Sequence, residues 1–64
     1  MTRFTVWHST GKRDGDSGFD TIEDAQREYD DQVARADVVE VELIDNSGKD
    51  GPIVLKRHDA AEAA

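Results

Sequence analysis

Cysteine is absent from this 64-residue chain, so neither a disulfide nor a thiolate–metal site can reinforce it. A single domain of that length has only a marginal core, and dimerisation or docking on a partner is an expected source of further stability. The lack of cysteine also fits a reducing compartment. Long apolar runs are missing too. None approaches a signal-peptide core or a membrane span, and the chain is expected to be soluble, intracellular and cytoplasmic. Basic residues are few, eight against fifteen acids, for a formal charge of −7. Affinity for DNA, RNA or an anionic membrane rests largely on Lys and Arg neutralising phosphates, so direct binding of any of these is not expected.

Catalytic and metal-binding patterns are equally thin. His8 and His58 are the only histidines, and no spacing around them suggests a zinc site. Asp14-Gly15-Asp16-Ser17-Gly18 resembles the opening of a calcium loop. The bidentate Glu needed at its twelfth position is replaced by Ala25, and no helix enters it; a solvated turn is the expectation. Ser9, Ser17 and Ser47 fall in expected loops with no nucleophile motif around them. An acid/base carboxylate pair needs a cleft, for which a chain this short leaves little room. The expectation is a protein without catalysis, cofactor or metal.

What the chain does have is an acidic block. Twelve of the fifteen acids lie between Asp14 and Asp45 with only two of the eight bases, a net −10, while the flanks together carry +3. Such a concentrated field favours positively charged surfaces. High charge with low hydrophobicity can signal disorder, but here the apolar residues recur periodically, which favours a fold.

Phe4 and Val6 alternate with Thr5 and Trp7, which predicts a first strand over Thr2–His8. Ser9 to Gly18, with three glycines and four charges, reads as a loop or an irregular hairpin tip. Asp20 is the expected helix N-cap, with Glu23 three residues on. Ile22, Ala25, Tyr29, Val33 and Ala36 then form one apolar stripe of a helix over about Thr21–Arg35. Val38–Asp45 is a second strand, with Val39, Val41 and Leu43 on one face and Glu40, Glu42 and Ile44 on the other. Pro52–Arg57 is a third, with Ile53 and Leu55 expected in the core. The expected fold is therefore α+β, β-α-β-β: a single domain over 1–58, a frayed tail over 59–64, and one helix on a three-stranded, mainly antiparallel sheet. Strand order 1-3-2 is preferred, because a sheet covered on one face is usually antiparallel. With the first strand beside the second instead, that pair would be parallel.

Two surfaces emerge from this layout. On the outer side of the helix lie Glu23, Asp24, Glu28, Asp30 and Asp31, diluted by Arg27 and Arg35. They constitute either a solvated face with i,i+4 pairs such as Glu23–Arg27 and Asp31–Arg35, or an interaction surface continuing into Asp37, Glu40, Glu42 and Asp45. The opposite face of the sheet is expected to carry Thr5, Trp7, Glu40, Glu42, Val54 and Lys56. There Trp7 is either an open interface anchor or a minor core covered by the Ser9–Gly18 loop.

The run Phe4-Thr5-Val6-Trp7, the helix opening Phe19-Asp20-Thr21-Ile22-Glu23-Asp24-Ala25, the Val/Glu-alternating strand and the glycine-containing hairpin resemble small acidic proteins of phages and mobile elements, in style those of the anti-CRISPR type. The resemblance is one of layout and charge, without a shared motif. It implies an inhibitor acting in the host cytoplasm, whose carboxylates mimic nucleic acid and occupy a basic site on a nucleic-acid-binding protein. The residues expected on that protein-binding surface are Asp24, Glu28, Asp30, Asp31, Asp37, Glu40 and Glu42, with Trp7 as anchor. The alternative is a structural or assembly protein that forms a homodimer through the Trp7 face of its sheet.

Overall fold

Alternating Phe4 and Val6 do build a strand, and its position decides the architecture. In the computed structural model, which describes residues 2–60, the elements are β1 (Phe4–Ser9), β2 (Asp14–Phe19), α1 (Ile22–Val33), β3 (Glu40–Asp45) and β4 (Ile53–Asp59). They form an α+β fold in which one four-stranded sheet has the order β2-β1-β3-β4 and every neighbouring pair is antiparallel. The helix packs across β3, β1 and β2 on one face.

The sheet corrects the sequence expectation in two linked ways. The segment 14–19, expected as loop, is a strand, so there are four strands rather than three. That extra strand reverses the chain once more before the helix, so β3 returns beside β1 and antiparallel to it. The expected order, with the first strand beside the Ile53 strand, does not form.

Asp-Gly-Asp-Ser-Gly-Phe has poor intrinsic strand propensity; its pairing with β1 overrides that. Its glycines leave room for neighbouring side chains. A Cβ on Gly15 would lie 2.8 Å from Cε1 of His8, its cross-strand partner, and one on Gly18 would lie 2.6 Å from Cγ2 of Thr2. The hairpin closes through Thr10–Arg13. The Thr10 N–H donates to the Arg13 carbonyl at 2.9 Å, and Gly11 takes the left-handed conformation that the bend needs (φ 87°).

Phe4, Val6, Ala25, Tyr29, Val38, Val41 and Leu43 form the buried core, with Phe19 and Val33 packed against it. Val41 and Leu43 take the core side as their alternation predicts. Val39, expected beside them, is exposed and Val38 is buried instead, because regular pairing begins only at Glu40 and the alternation does not extend back through the bend before it. Ile53 and Leu55, also expected in the core, are exposed. β4 is an edge strand beyond the elements that the helix packs against, and a bulge opposite Leu43 and Ile44 leaves Leu55 without a partner in the ladder. Asp59 continues β4 and the Ala60 N–H bonds the Val39 carbonyl at 2.9 Å; the remainder of the expected tail, 61–64, lies outside the described residues.

The helix begins one residue later than expected. Thr21, not Asp20, is the N-cap: its Oγ1 accepts from the Asp24 N–H at 3.3 Å. Asp20 still belongs to the bend that turns the chain out of β2. The last helical residue is Val33 rather than Arg35, and Ala36 is exposed rather than part of the apolar stripe.

Candidate functional site

Strand register places side chains in rows across the sheet. On the side away from the helix one row is Asp16, Trp7, Glu42 and Arg57, and the next is Asp14, Ser9, Glu40 and Asp59. Above Trp7 the row is Gly18, Thr5, Ile44 and Val54. This face thus gathers five carboxylates and one guanidinium around a half-buried tryptophan. Among the described residues no other strand or helix lies over it; of the 9–18 segment, expected as the alternative cover for Trp7, residues 14–18 run beside β1 in an edge strand.

The geometry of the charges is regular. Asp14 and Asp16 are two residues apart on β2, and Glu40 and Glu42 two apart on β3, a spacing of about 6.7 Å along each strand. β1 separates these two along-strand rows of acids, Asp14 and Asp16 on β2 and Glu40 and Glu42 on β3, which therefore stand about 9.6 Å apart with Trp7 between them. Arg57 binds Glu40 at 3.3 Å, Glu42 at 3.8 Å and Asp59 at 3.5 Å, so one cation is shared among three acids. Asp14 and Asp16 are exposed and have no ionic or hydrogen-bond partner among the described residues.

The helix acids are in a different state. Asp31 pairs with Arg35 at 3.4 Å as expected, whereas Arg27 approaches Asp24 at 3.9 Å rather than the expected Glu23. Asp30 accepts from Gln26 Nε2 at 2.9 Å and Glu28 from Gln32 Nε2 at 2.8 Å. Exposed pairs of this kind contribute about 0–1 kcal/mol each, but they do satisfy much of the local charge. Asp24, Arg27, Glu28 and Asp31 line a shallow groove with Phe19 beneath them.

The residues singled out from sequence therefore fall on two sides of the molecule. Asp24, Glu28, Asp30 and Asp31 project from α1; Trp7, Glu40 and Glu42 lie on the opposite sheet face; and Asp37 is exposed in the connection between α1 and β3. Asp14, Asp16, Asp59 and Arg57 join the sheet-face group and were missed as members of it. For the first two the available signal was their i,i+2 spacing ending on Phe19, together with a four-residue, glycine-containing loop before them.

Asp14 and Asp16 project from a regular strand, so the segment does not bend into the calcium-type loop that it resembles. Among the described residues no group of three or more His, Asp or Glu side chains converges as a metal site. No helix is long and apolar enough to cross a membrane. At the far end of β3, the Asp45 carboxylate is held below the usual range by hydrogen bonds from the Ser47 hydroxyl and N–H, with a smaller contribution from Arg3. Comparison with known protein families, curated proteins and solved structures returns no match.

Proposed function

We propose that this protein is a non-enzymatic binding module, an inhibitor of the anti-CRISPR type, whose acidic sheet face occupies a basic, nucleic-acid-binding site on a partner protein. The observation that carries this reading is the uncovered face on which two rows of carboxylates flank Trp7. Each row presents one charge per about 6.7 Å, roughly half the axial charge density of a DNA strand at one per 3.4 Å. The unpaired Asp14 and Asp16 are available to incoming guanidinium or ammonium groups without first breaking an internal bond. Trp7 supplies the apolar, cation-accepting surface that slows dissociation, while the charges steer encounter and make it salt-sensitive. The helix acids Asp24, Glu28, Asp30 and Asp31 add to the long-range field from the other side.

The sheet-face homodimer is the weaker reading. Two copies meeting through this face would each bring five acids and a single arginine, and the like charges oppose contact.

The test compares the protein with a variant neutralised at Asp14→Asn, Asp16→Asn, Glu40→Gln and Glu42→Gln. Proteins captured from a host lysate are challenged with labelled duplex DNA and guide-like RNA. Wild type should displace nucleic acid from a captured protein at low salt and lose that ability as salt rises; the neutralised variant should not displace it. Equal displacement by both forms would sink the reading.

A further inference from the structure

Three of the five large apolar side chains exposed on the described surface are consecutive residues of one edge strand: Ile53 at 55 %, Val54 at 49 % and Leu55 at 47 % exposure. An ordinary strand would turn alternate residues away. Here Ile53 and Val54, opposite Asp45 and Ile44, do take opposite sides and the bulge takes Leu55 out of the ladder, yet all three are exposed, so the open edge of the sheet is apolar on both sides. An unpaired edge is a ready template for another strand.

We infer that this edge binds a second copy of the chain, β4 against β4 in antiparallel orientation. Three observations select that occupant. First, β4 is the one strand with net positive charge: Lys56 and Arg57 stand against Asp59, whereas the chain as a whole carries −7. Two such acidic chains repel least where these strands meet. Second, β2, the other edge, presents Asp14 and Asp16 and would repel a like copy. Third, the complementarity is mutual. The apolar edge of each copy meets that edge and the aliphatic Lys56 and Arg57 stems of the other, an arrangement that closes with two-fold symmetry. Arg57 of one copy, on the same face as Glu40 and Glu42, then lies about 9.6 Å from β3 of the other, while Lys56 stands on the helix side with its ammonium 5.8 Å from the Tyr29 ring centroid of its own copy.

The two-fold axis of such a pairing runs perpendicular to the sheet. Both helices then lie on one side of an eight-stranded sheet and both Trp7 faces on the other. The dimer would be bivalent, presenting two acidic faces in the same direction to a long basic groove or a two-fold partner. A bulged edge and a small apolar area make the contact a low-area one, so association is expected on the order of 100 μM rather than nanomolar.

Sedimentation equilibrium between about 10 μM and 1 mM tests this, the range following from that low-area class. Wild type should pass from monomer to dimer across it. Val54→Lys and Leu55→Lys, both at exposed positions, should remain monomeric with unchanged circular dichroism. Trp7→Ala and Asp16→Lys should still dimerise. A wild-type monomer throughout, or a dimer that survives both lysine substitutions, overturns the proposal. So does loss of the dimer on Trp7→Ala, which would indicate face-to-face contact, or on Asp16→Lys, which would indicate head-to-tail pairing. The acidic-face reading is independent of this result, because its readout is nucleic-acid displacement.

Discussion

The His8 imidazole lies over the backbone of Gly15, so close that a methyl group at that position would stand 2.8 Å from its Cε1. The two residues are register partners in the β1–β2 hairpin. A side chain on one strand and its absence on the other are two halves of one packing solution. Gly15→Ala should destabilise the fold by about 1 kcal/mol, because the imidazole must leave its position. In a double-mutant cycle with His8→Ala the penalty should largely vanish, leaving a coupling of about 0.5–1 kcal/mol measured by denaturant unfolding. Purely additive changes would show that the glycine serves only backbone freedom.

The helix cap can be assigned by substitution. Thr21→Ala should cost about 1 kcal/mol, the usual effect of removing a capping oxygen. Asp20→Ala should cost little, since Asp20 precedes the cap. Thermal melts at neutral pH decide between them; the reverse ranking would return the cap to Asp20.

Asp45 gives the fold an acid-sensitive corner. Its carboxyl is held below the usual range, first by the Ser47 hydroxyl and then by the Ser47 N–H. A carboxylate whose pKa is lower folded than unfolded adds stability that is fully present above the unfolded value, about 3.9 for aspartate, and is lost as pH falls through the folded value. Ser47→Ala removes the larger cause. The stability difference between wild type and Ser47→Ala should therefore be constant near neutrality and shrink below about pH 4. A difference that persists unchanged to pH 2 would assign the effect to the turn backbone instead.

Gln32 is buried at 6 % exposure. Its Nε2 donates to Glu28, while its Oε1 has no hydrogen-bond partner. A buried acceptor left unpaired costs about 1–3 kcal/mol, against about 0.5–1.5 gained from the bond its amide makes. Gln32→Leu should thus raise stability by about 1 kcal/mol. Lowered stability in urea titrations would mean that the Glu28 contact outweighs the orphaned oxygen.

Much of this architecture was legible in the residues. The alternation of Phe4 and Val6, the Ala25–Tyr29 spacing and the Val41–Leu43 pair name most of the core and the helix. β2 was hidden because its own residues have poor strand propensity: glycines at 15 and 18 read locally as loop residues, yet across the hairpin they make room for His8 and Thr2. The exposure of Ile53 and Leu55 was hidden for another reason. Apolar strand residues read as core, and whether the helix reaches them depends on strand order. Strand order in turn rested on the missed β2. The charge count located the acidic block, but only the register showed that Glu40 and Glu42 share a face with Asp14 and Asp16, and that the helix carboxylates point away from them.

The sheet is two hairpins, β1–β2 and β3–β4, each close in sequence and joined along the single seam between β1 and β3. That seam links residues such as Trp7 and Glu42, far apart along the chain, and pairings of high sequence separation are slow to form. The acidic face straddles it: Asp14, Asp16 and Trp7 come from one hairpin, Glu40, Glu42 and Arg57 from the other. Neither hairpin alone holds the proposed binding surface. Opening of the seam would take the acidic face apart while leaving both hairpins paired within themselves, so the lifetime of that face is set by this one junction rather than by the strength of the local turns.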